Sequence, residues 1–219
     1  MGMGREKRDL IARRAARELK NGMIVNLGIG IPTLVADYVP EGIHVVFQAE
    51  NGILGYGKSP RKGEEDPFLC NAGGLPITLM DEASYFDSTV AFGMIRRGLL
   101  DITFLGALQV NGQGDLANWI VPGKRVPGMG GAMELVQKAK RVIVTTEHVA
   151  RDGSPKIVRT CTYPLTARES VNLIITDMAV IEVTGTGLVL KEVAAEYRPG
   201  DVVRATDAPL MIPDQVGEF

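Results

Sequence analysis

The sequence is poor in the residue types that build many metal and hydrolytic sites. Of 219 residues only two are cysteine and two are histidine. Cys70 and Cys161 lie far apart with no Cys-x-x-Cys or Cys/His cluster, so we expect reduced thiols and no metal site. His44 falls inside a candidate strand and His148 just after one. The sequence shows no recognisable Ser-His-Asp or Cys-His arrangement, which argues against hydrolysis by a histidine-activated nucleophile.

The sequence also has no charge excess and no membrane-length apolar run. Lys plus Arg total 24 against 26 Asp plus Glu, so no basic surface for nucleic acid is expected. No apolar run reaches the roughly 18 residues of a membrane span, and there is no signal-peptide core. The N-terminal region is rich in arginine, as transit peptides are, but Glu6, Asp9 and Glu18 are interleaved. We therefore expect a solvated helix face and a cytoplasmic protein.

The order of predicted elements favours an α/β fold. Hydrophobic residues make up 45% and charged residues 23%, as in ordinary globular proteins. A helix is predicted over 5–20, a buried strand over 23–27, a helix over 32–38 and a strand over 43–48. This alternation is typical of an open, mostly parallel sheet with helices on its faces. No repeat or linker is visible, so residues 1–219 are predicted to form one domain.

The later segments are less regular. Residues 50–74 form a long, glycine-rich, charged stretch without periodicity, which in a compact domain favours a functional loop. Further elements are predicted as strands at 77–80, within 101–110 and at 141–146, and as helices at 84–97 and 131–140, with an irregular stretch at 111–130. Short β-type runs in the last third predict more antiparallel strands at 156–160, 172–176, 179–183 and 188–191. Residues from about 209 to 219 are expected to be a surface tail.

The first candidate site is a glycine turn between a strand and a helix. Gly28 and Gly30 suit a backbone that approaches an anion, and Pro32 suits the first position of the helix. Glu50 stands 20 residues after Gly30, so a nicotinamide-binding oxidoreductase is an alternative. Against it, Thr33 occupies the position where that fingerprint needs a small residue, usually glycine. A purely structural turn also remains open.

The second candidate is Glu50 itself. It follows a predicted parallel strand, and open α/β sheets bind ligands at the carboxyl ends of their strands. Asn51-Gly52 favours a tight turn that holds the preceding side chain clear of the sheet. A carboxylate nucleophile needs no histidine base. The alternative is a surface turn with an incidental glutamate.

The third candidate is the glycine-rich segment 127–134. Gly130-Gly131 opens a predicted helix, whose first amides have no partner within the helix. Such amides can stabilise an oxyanion during acyl transfer. A glycine loop that only makes room for the helix explains the spacing equally well.

Motifs in order along the chain resemble those of the β subunits, or C-terminal halves, of family I CoA-transferases, and the likeness is greatest to the 3-oxoacid type that uses succinyl-CoA. The matching segments are EKRDLIARRA (6–15), NLGIGIP (26–32), ENGILGYG (50–57), NAG (71–73), GALQV (106–110), GDLANW (114–119), GKRVPGMGGAMELV (123–136) and PLTARESVNLIIT (164–176). One departure is visible. Ala49 precedes Glu50 where the family usually has serine, so any hydrogen bond from that hydroxyl is missing.

The resemblance implies a CoA-transferase (NagB-RpiA-like) fold and a ping-pong reaction through a glutamyl-CoA thioester. It implies that Glu50 is the nucleophile and that the Gly131 amide is one oxyanion donor, with the other donor supplied by an α subunit. It implies that Asn51 and Gly52 position the nucleophile. Residues that match the segments lining the CoA arm are Gly28, Ile29, Gly30, Ile31, Pro32, Gly128 and Gly130.

The resemblance also implies the substrates and the assembly. We expect CoA to move between succinyl-CoA and acetoacetate in an α2β2 enzyme, with no permanently bound cofactor and CoA present only as substrate. Acetate or butyrate as the acid, and an acyl-CoA hydrolase of the same fold, are alternatives. A non-catalytic binding module derived from the fold is a further one.

Overall fold

The computed structural model describes residues 4–123, 126 and 128–219. Among these residues are four α-helices and one 3-10 helix over Pro32–Tyr38. The α-helices are α1 (Arg5–Ala16), α2 (Ser88–Arg96), α3 (Ala132–Lys138) and α4 (Pro199–Ala205). None of the helices in the described part of the chain is long and apolar enough to cross a membrane.

The described strands form two sheets. Those of the large sheet are β1 (Ile24–Leu27), β2 (Val46–Ala49), β3 (Ile53–Tyr56), β4 (Leu79–Tyr85), β5 (Ile102–Leu105), β8 (Arg141–Thr145), β10 (Leu173–Ile175), β11 (Ala179–Thr184), β12 (Gly187–Val193), β13 (Leu210–Met211) and β14 (Gly217–Glu218). A small sheet contains β6 (Gln109–Asn111), β7 (Leu116–Ala117) and β9 (Ile157–Val158).

The middle of the large sheet is parallel. Its strands follow the order β10-β8-β5-β1-β2, and each neighbouring pair is parallel. Antiparallel strands extend it on both sides, β11 and β12 next to β10, and β3 and β4 next to β2. The predicted α/β class and the more antiparallel last third are therefore confirmed.

Helices cover both faces of this sheet because the strands alternate their side chains. In β8, Ile143 packs into one apolar cluster with α1 and the 3-10 helix, while Val142 and Val144 pack into another with α2, α3 and α4. Both clusters consist of fully or nearly fully buried side chains. The carboxyl ends of the parallel strands therefore emerge along one edge between two helical layers.

The predicted secondary structure was partly wrong at the edge of the large sheet formed by β3 and β4. Residues 50–74 are not all loop, because Ile53–Tyr56 form β3. The helix predicted from 84 begins at Ser88, since Asp87 caps it by accepting a hydrogen bond from the Val90 amide, and residues 79–85 form β4 instead. Register shifts in both strand pairs disturb the alternation that would have revealed these strands.

The C-terminal segment also differs from a free tail. Most of 209–219 is exposed, as expected. However, β13 and β14 both pair with β12 in parallel, so ladder hydrogen bonds attach the segment to the sheet edge. Two-residue strands carry no periodicity, and helix α4 just before them was missed as well.

One N-terminal arginine is not part of a solvated face. Arg14 is buried, and its guanidinium donates to both carboxylate oxygens of Glu192, at 2.6 Å each, and to Glu18 at 2.8 Å. Burial alone would lower the pKa of Arg14, but its hydrogen bonds to these two carboxylates raise the pKa above its ordinary value. The charge therefore joins α1 to β12 instead of facing water.

His148 makes stability depend on pH. Its ring nitrogens lie 2.9 Å from the hydroxyl oxygens of Thr176 and Thr206. Burial lowers the pKa of His148 from 6.5 to about 4, although the charge of Asp177 opposes the shift. Between about pH 6.5 and pH 4 the unfolded chain takes up a proton that the folded chain does not. This contribution to stability is present above pH 6.5 and declines as the pH falls through that window.

We expect wild-type protein to lose about 2 kcal/mol of unfolding free energy through His148 between pH 7 and pH 5. Denaturant unfolding of His148→Asn should show a pH dependence weaker by this amount. His44→Asn, which changes an exposed histidine, is the control and should follow wild type. An equal pH dependence in wild type and His148→Asn would contradict the role of this ring.

Candidate active site

Glu50 stands at the carboxyl end of β2, where the chain makes a tight turn. The Gly52 amide donates to the Ala49 carbonyl at 3.1 Å. Gly52 has φ +109°, and a Cβ added there would lie 1.9 Å from the carbonyl oxygen of Phe86. Only glycine fits both the backbone conformation and this close approach. The turn therefore holds Glu50 at a defined place beside the chain that leads into α2.

The neighbouring strand β1 is followed by Gly28, which lies against β5. The Gly28 amide donates to the Phe104 carbonyl at 2.8 Å, and a Cβ on Gly28 would meet the same oxygen at 2.9 Å. Ile29 follows with 70% of its surface exposed, and Gly30 turns the chain with φ +100°. The glycines thus let the chain leave the sheet sharply before the 3-10 helix.

Gly131, just before α3, faces Glu50. A Cβ added to Gly131 would lie 3.2 Å from Oε1 of Glu50 and 3.2 Å from the ring of Phe92. The carboxylate therefore points toward the start of α3 and not into open solvent. The structure brings together the two residues that the sequence singled out on independent grounds.

These residues line one cavity of about 750 Å³. Of the candidates named from the sequence, those in its lining are Gly28, Ile29, Glu50, Asn51, Gly128, Gly130 and Gly131. Among the described residues, the candidates outside the lining are Gly30, Ile31, Pro32 and Gly52. Ile31 packs against an apolar cluster, and Pro32 begins the 3-10 helix. Pro127 of the glycine-rich segment lies outside the described residues, as do Lys124 and Arg125 of the matching motif 123–136.

Asn51 connects the site to the loop before β4. Its side-chain amide donates to the Cys70 carbonyl at 2.8 Å. In the same loop the Asn71 side chain accepts from the amides of Gly73 and Leu75, which gives the loop a defined shape. Ala72 of this loop lines the cavity. Asn51 thus anchors a wall of the cavity, and its amide is directed away from Glu50.

A row of buried polar side chains beneath Glu50 was missed by the sequence analysis. Asn26, Gln48 and Thr103 are each fully buried, and their Cα atoms are register partners on β1, β2 and β5. The Asn26 amide nitrogen lies 2.9 Å from Oε1 of Gln48 and 3.2 Å from Oε2 of Glu50. The sequence feature that could have revealed this row is the single polar residue inside each of three otherwise apolar strands.

Glu50 is the one ionisable side chain among the described residues that line the cavity. Beneath it, burial raises the pKa of Tyr56, and the negative charge of Glu50 adds to the shift, so this phenol stays neutral. No histidine lines the cavity in the described part of the chain. The described lining therefore offers a carboxylate and backbone amides, and it contains no side chain other than Glu50 that could act as a base toward water.

Curated proteins similar to this chain include several CoA-transferase subunits. The chain is 57% identical over 212 residues to the beta chain of a probable coenzyme A transferase of Bacillus subtilis (strain 168), covering 97% of this chain and 98% of that one. It is 47% identical to one of the subunits of a probable succinyl-CoA:3-ketoacid coenzyme A transferase of the same organism, with the same coverage. It is 52% identical to the beta chain of the acetate CoA-transferase of Escherichia coli (strain K12), over 84% of each chain.

Among solved structures, the acyl-CoA transferase YdiF of Escherichia coli O157:H7 has the same fold, with a TM-score of 0.77 at 21% identity. The match covers 100% of this chain and 44% of YdiF. The family model described as Coenzyme A transferase matches residues 8–205. The chain therefore belongs to the coenzyme A transferase family.

Proposed function

We propose that the chain is the β-type subunit of a CoA-transferase that moves CoA from an acyl-CoA to a carboxylic acid through Glu50. The observation that carries this proposal is the position of Glu50. It lies beside Gly131, and it is the one ionisable residue in the described lining of the cavity. Carboxylates form covalent intermediates without an adjacent base because they are already deprotonated at neutral pH.

The reaction proceeds by two exchanges at Glu50. A carboxylate oxygen attacks the acyl carbonyl, the C–S bond breaks, and an acyl-glutamyl anhydride and CoA thiolate result. The thiolate then attacks the glutamyl carbonyl, and the first acid leaves with the electrons of the broken C–O bond. Glu50 now carries CoA as a thioester, and a second acid reverses both steps. No proton is transferred, which is why the site needs no histidine.

Backbone amides stabilise the oxyanion on the substrate carbonyl. Gly131 precedes α3, and its lack of a side chain lets the reacting carbonyl come close to its amide while Glu50 approaches from the other side. One such donor contributes about 10² to 10³ in rate. The second donor belongs to an α-type partner, in keeping with relatives that are named as single subunits of an enzyme.

Transfer prevails over hydrolysis because Glu50 is consumed in the anhydride and the thioester, and no other described residue of the lining could act as a base for water. The cavity wall is largely apolar, with Ile29, Phe92, Leu105 and Leu135 in its lining. Excluding water protects such intermediates. An acyl-CoA hydrolase of the same fold is the alternative, and it would release CoA equally fast with and without an added acid.

For substrates we propose succinyl-CoA and acetoacetate. A relative named for succinyl-CoA and a 3-ketoacid covers nearly the whole chain, although a relative named for acetate is also similar. Acetate and butyrate are therefore the acids to compare in a survey of acceptors. We further propose an α2β2 assembly in which CoA is a substrate and no cofactor is permanently bound.

Replacement of Glu50 tests the nucleophile. We expect Glu50→Ala, co-expressed with the α-type partner, to form no CoA adduct and to exchange no acyl groups. The measurements are peptide mass spectrometry after incubation with acyl-CoA, and an exchange assay. Glu147→Ala is the matched control, since Glu147 also follows a parallel strand of the sheet but does not line the cavity. Normal exchange by Glu50→Ala would overturn the assignment.

Replacement of Gly131 tests the close approach. The backbone of Gly131, with φ −83° and ψ 1°, accepts alanine without strain, but the added methyl would press on Glu50 Oε1 and on Phe92. We expect Gly131→Ala to lower kcat about tenfold or more with little change in melting temperature. Gly112→Ala, where the Cβ meets open space, should leave both values unchanged. Unaltered kcat in Gly131→Ala would contradict the proposed role.

A further inference from the structure

The buried amide of Asn26 contacts one particular oxygen of Glu50. Asn26 lies in the middle of β1, fully buried, and its side-chain nitrogen is 3.2 Å from Oε2. The other oxygen, Oε1, lies toward Gly131, 3.2 Å from where a Cβ on that residue would stand. The two oxygens of the nucleophile therefore have different environments, one buried against a donor and one turned toward the cavity wall.

The surrounding hydrogen bonds determine which way the Asn26 amide points. The Thr103 hydroxyl donates to Oδ1 of Asn26 at 3.2 Å. The nitrogen side faces only acceptors, namely the main-chain and side-chain carbonyl oxygens of Gln48 and the carboxylate of Glu50. Rotating the amide by 180° would place Oδ1 against three oxygens. Asn26 therefore presents a hydrogen-bond donor to Glu50.

The position of Gln48 is determined in turn by α2. Its side-chain nitrogen donates to the Ala91 carbonyl at 3.4 Å, which directs its Oε1 toward Asn26. Three acceptors thus share the two hydrogens of the Asn26 amide, so that one hydrogen is divided between the Gln48 carbonyl and Oε2. As negative charge builds on Oε2, this hydrogen is drawn toward it.

We infer that Asn26 is a catalytic hydrogen-bond donor for the oxyanion that forms on Glu50 itself. This inference rests on the proposed function. Oε1, toward the cavity, attacks the acyl-CoA and becomes the bridging oxygen of the anhydride. Oε2 remains as the glutamyl carbonyl oxygen. When the CoA sulfur bonds to the glutamyl carbon, the C=O π electrons move onto Oε2. They return when the carbon–Oε1 bond breaks and Oε1 leaves within the first acid.

The effect of this donor is larger in the transition state than in the ground states. In the free carboxylate Oε2 shares its charge with Oε1, and in the anhydride and the thioester it is a neutral carbonyl oxygen. Only in the tetrahedral states does it carry a full negative charge. A donor that is stronger there lowers the barrier instead of merely tightening binding. Asn26 is fully buried, where water does not screen the contact.

The test uses the chain together with its α-type partner. We expect Asn26→Ala to slow formation of the glutamyl-CoA adduct about 10²- to 10³-fold, as removal of an oxyanion donor does. The KM for acyl-CoA should stay within about threefold of wild type because the contact matters in the transition state. Rapid-quench mass spectrometry of the Glu50 peptide and steady-state kinetics measure the two quantities.

Asn26→Asp gives a second readout that a merely structural role would not move. The new carboxylate keeps the shape of the side chain but places an acceptor and a like charge beside Glu50. As the pH falls, the pair takes up one proton and the new carboxyl can donate to Oε2. Its activity relative to wild type should therefore rise toward acidic pH. The pH dependence of Asn26→Asp tests the role of Asn26 even if Asn26→Ala does not fold.

Asn111→Ala is the matched control, because Asn111 is also buried and hydrogen-bonded through its amide, but in the small sheet and outside the cavity lining. Its kcat should equal that of wild type. Adduct formation by Asn26→Ala within about threefold of wild type, or a pH-independent activity ratio for Asn26→Asp, would overturn the role of Asn26 while leaving Glu50 as nucleophile. Absence of the adduct in wild type would overturn the proposed function and this inference together.

Discussion

The site depends on the contacts of the Glu50 carboxylate, which lies between the glycine backbone at Gly131 and the buried side-chain amide of Asn26. In the proposed reaction Glu50 must remain charged and hydrogen-bonded, yet one of its oxygens must be open to a substrate carbonyl. The missing Cβ of Gly131 leaves the space on one side, and Asn26 donates from the other. Burial without such a partner would disfavour the charged form of a carboxylate.

The parallel sheet explains why these groups meet. The strands β1, β5 and β2 are neighbours, so the turns that follow them lie side by side at one edge. Asn26, Thr103 and Gln48 are level with one another because parallel register places them there. The row lies on the face that α2 covers, and α2 holds it through the Ala91 carbonyl.

Local sequence signals predicted much of the scaffold and part of the site. The strand-turn pattern around Glu50 and the glycines before α3 mark chemistry that is local in sequence. The row of Asn26, Gln48 and Thr103 depends on register between strands that are far apart in the chain, and the pattern within one strand does not say which residue of another strand lies beside it. Similarly, β3 and most of β4 were not predicted because bulges interrupt their alternation, and the burial of Arg14 depends on Glu192 at the other end of the chain.

The unequal surroundings of the two oxygens of Glu50 have a consequence for the origin of its atoms. In the proposed cycle the oxygen nearest Gly131 departs within the first acid, and the second acid supplies its replacement. The oxygen against Asn26 is never exchanged. After a single turnover the side chain is thus a composite, with one oxygen incorporated during protein synthesis and one inherited from a metabolite.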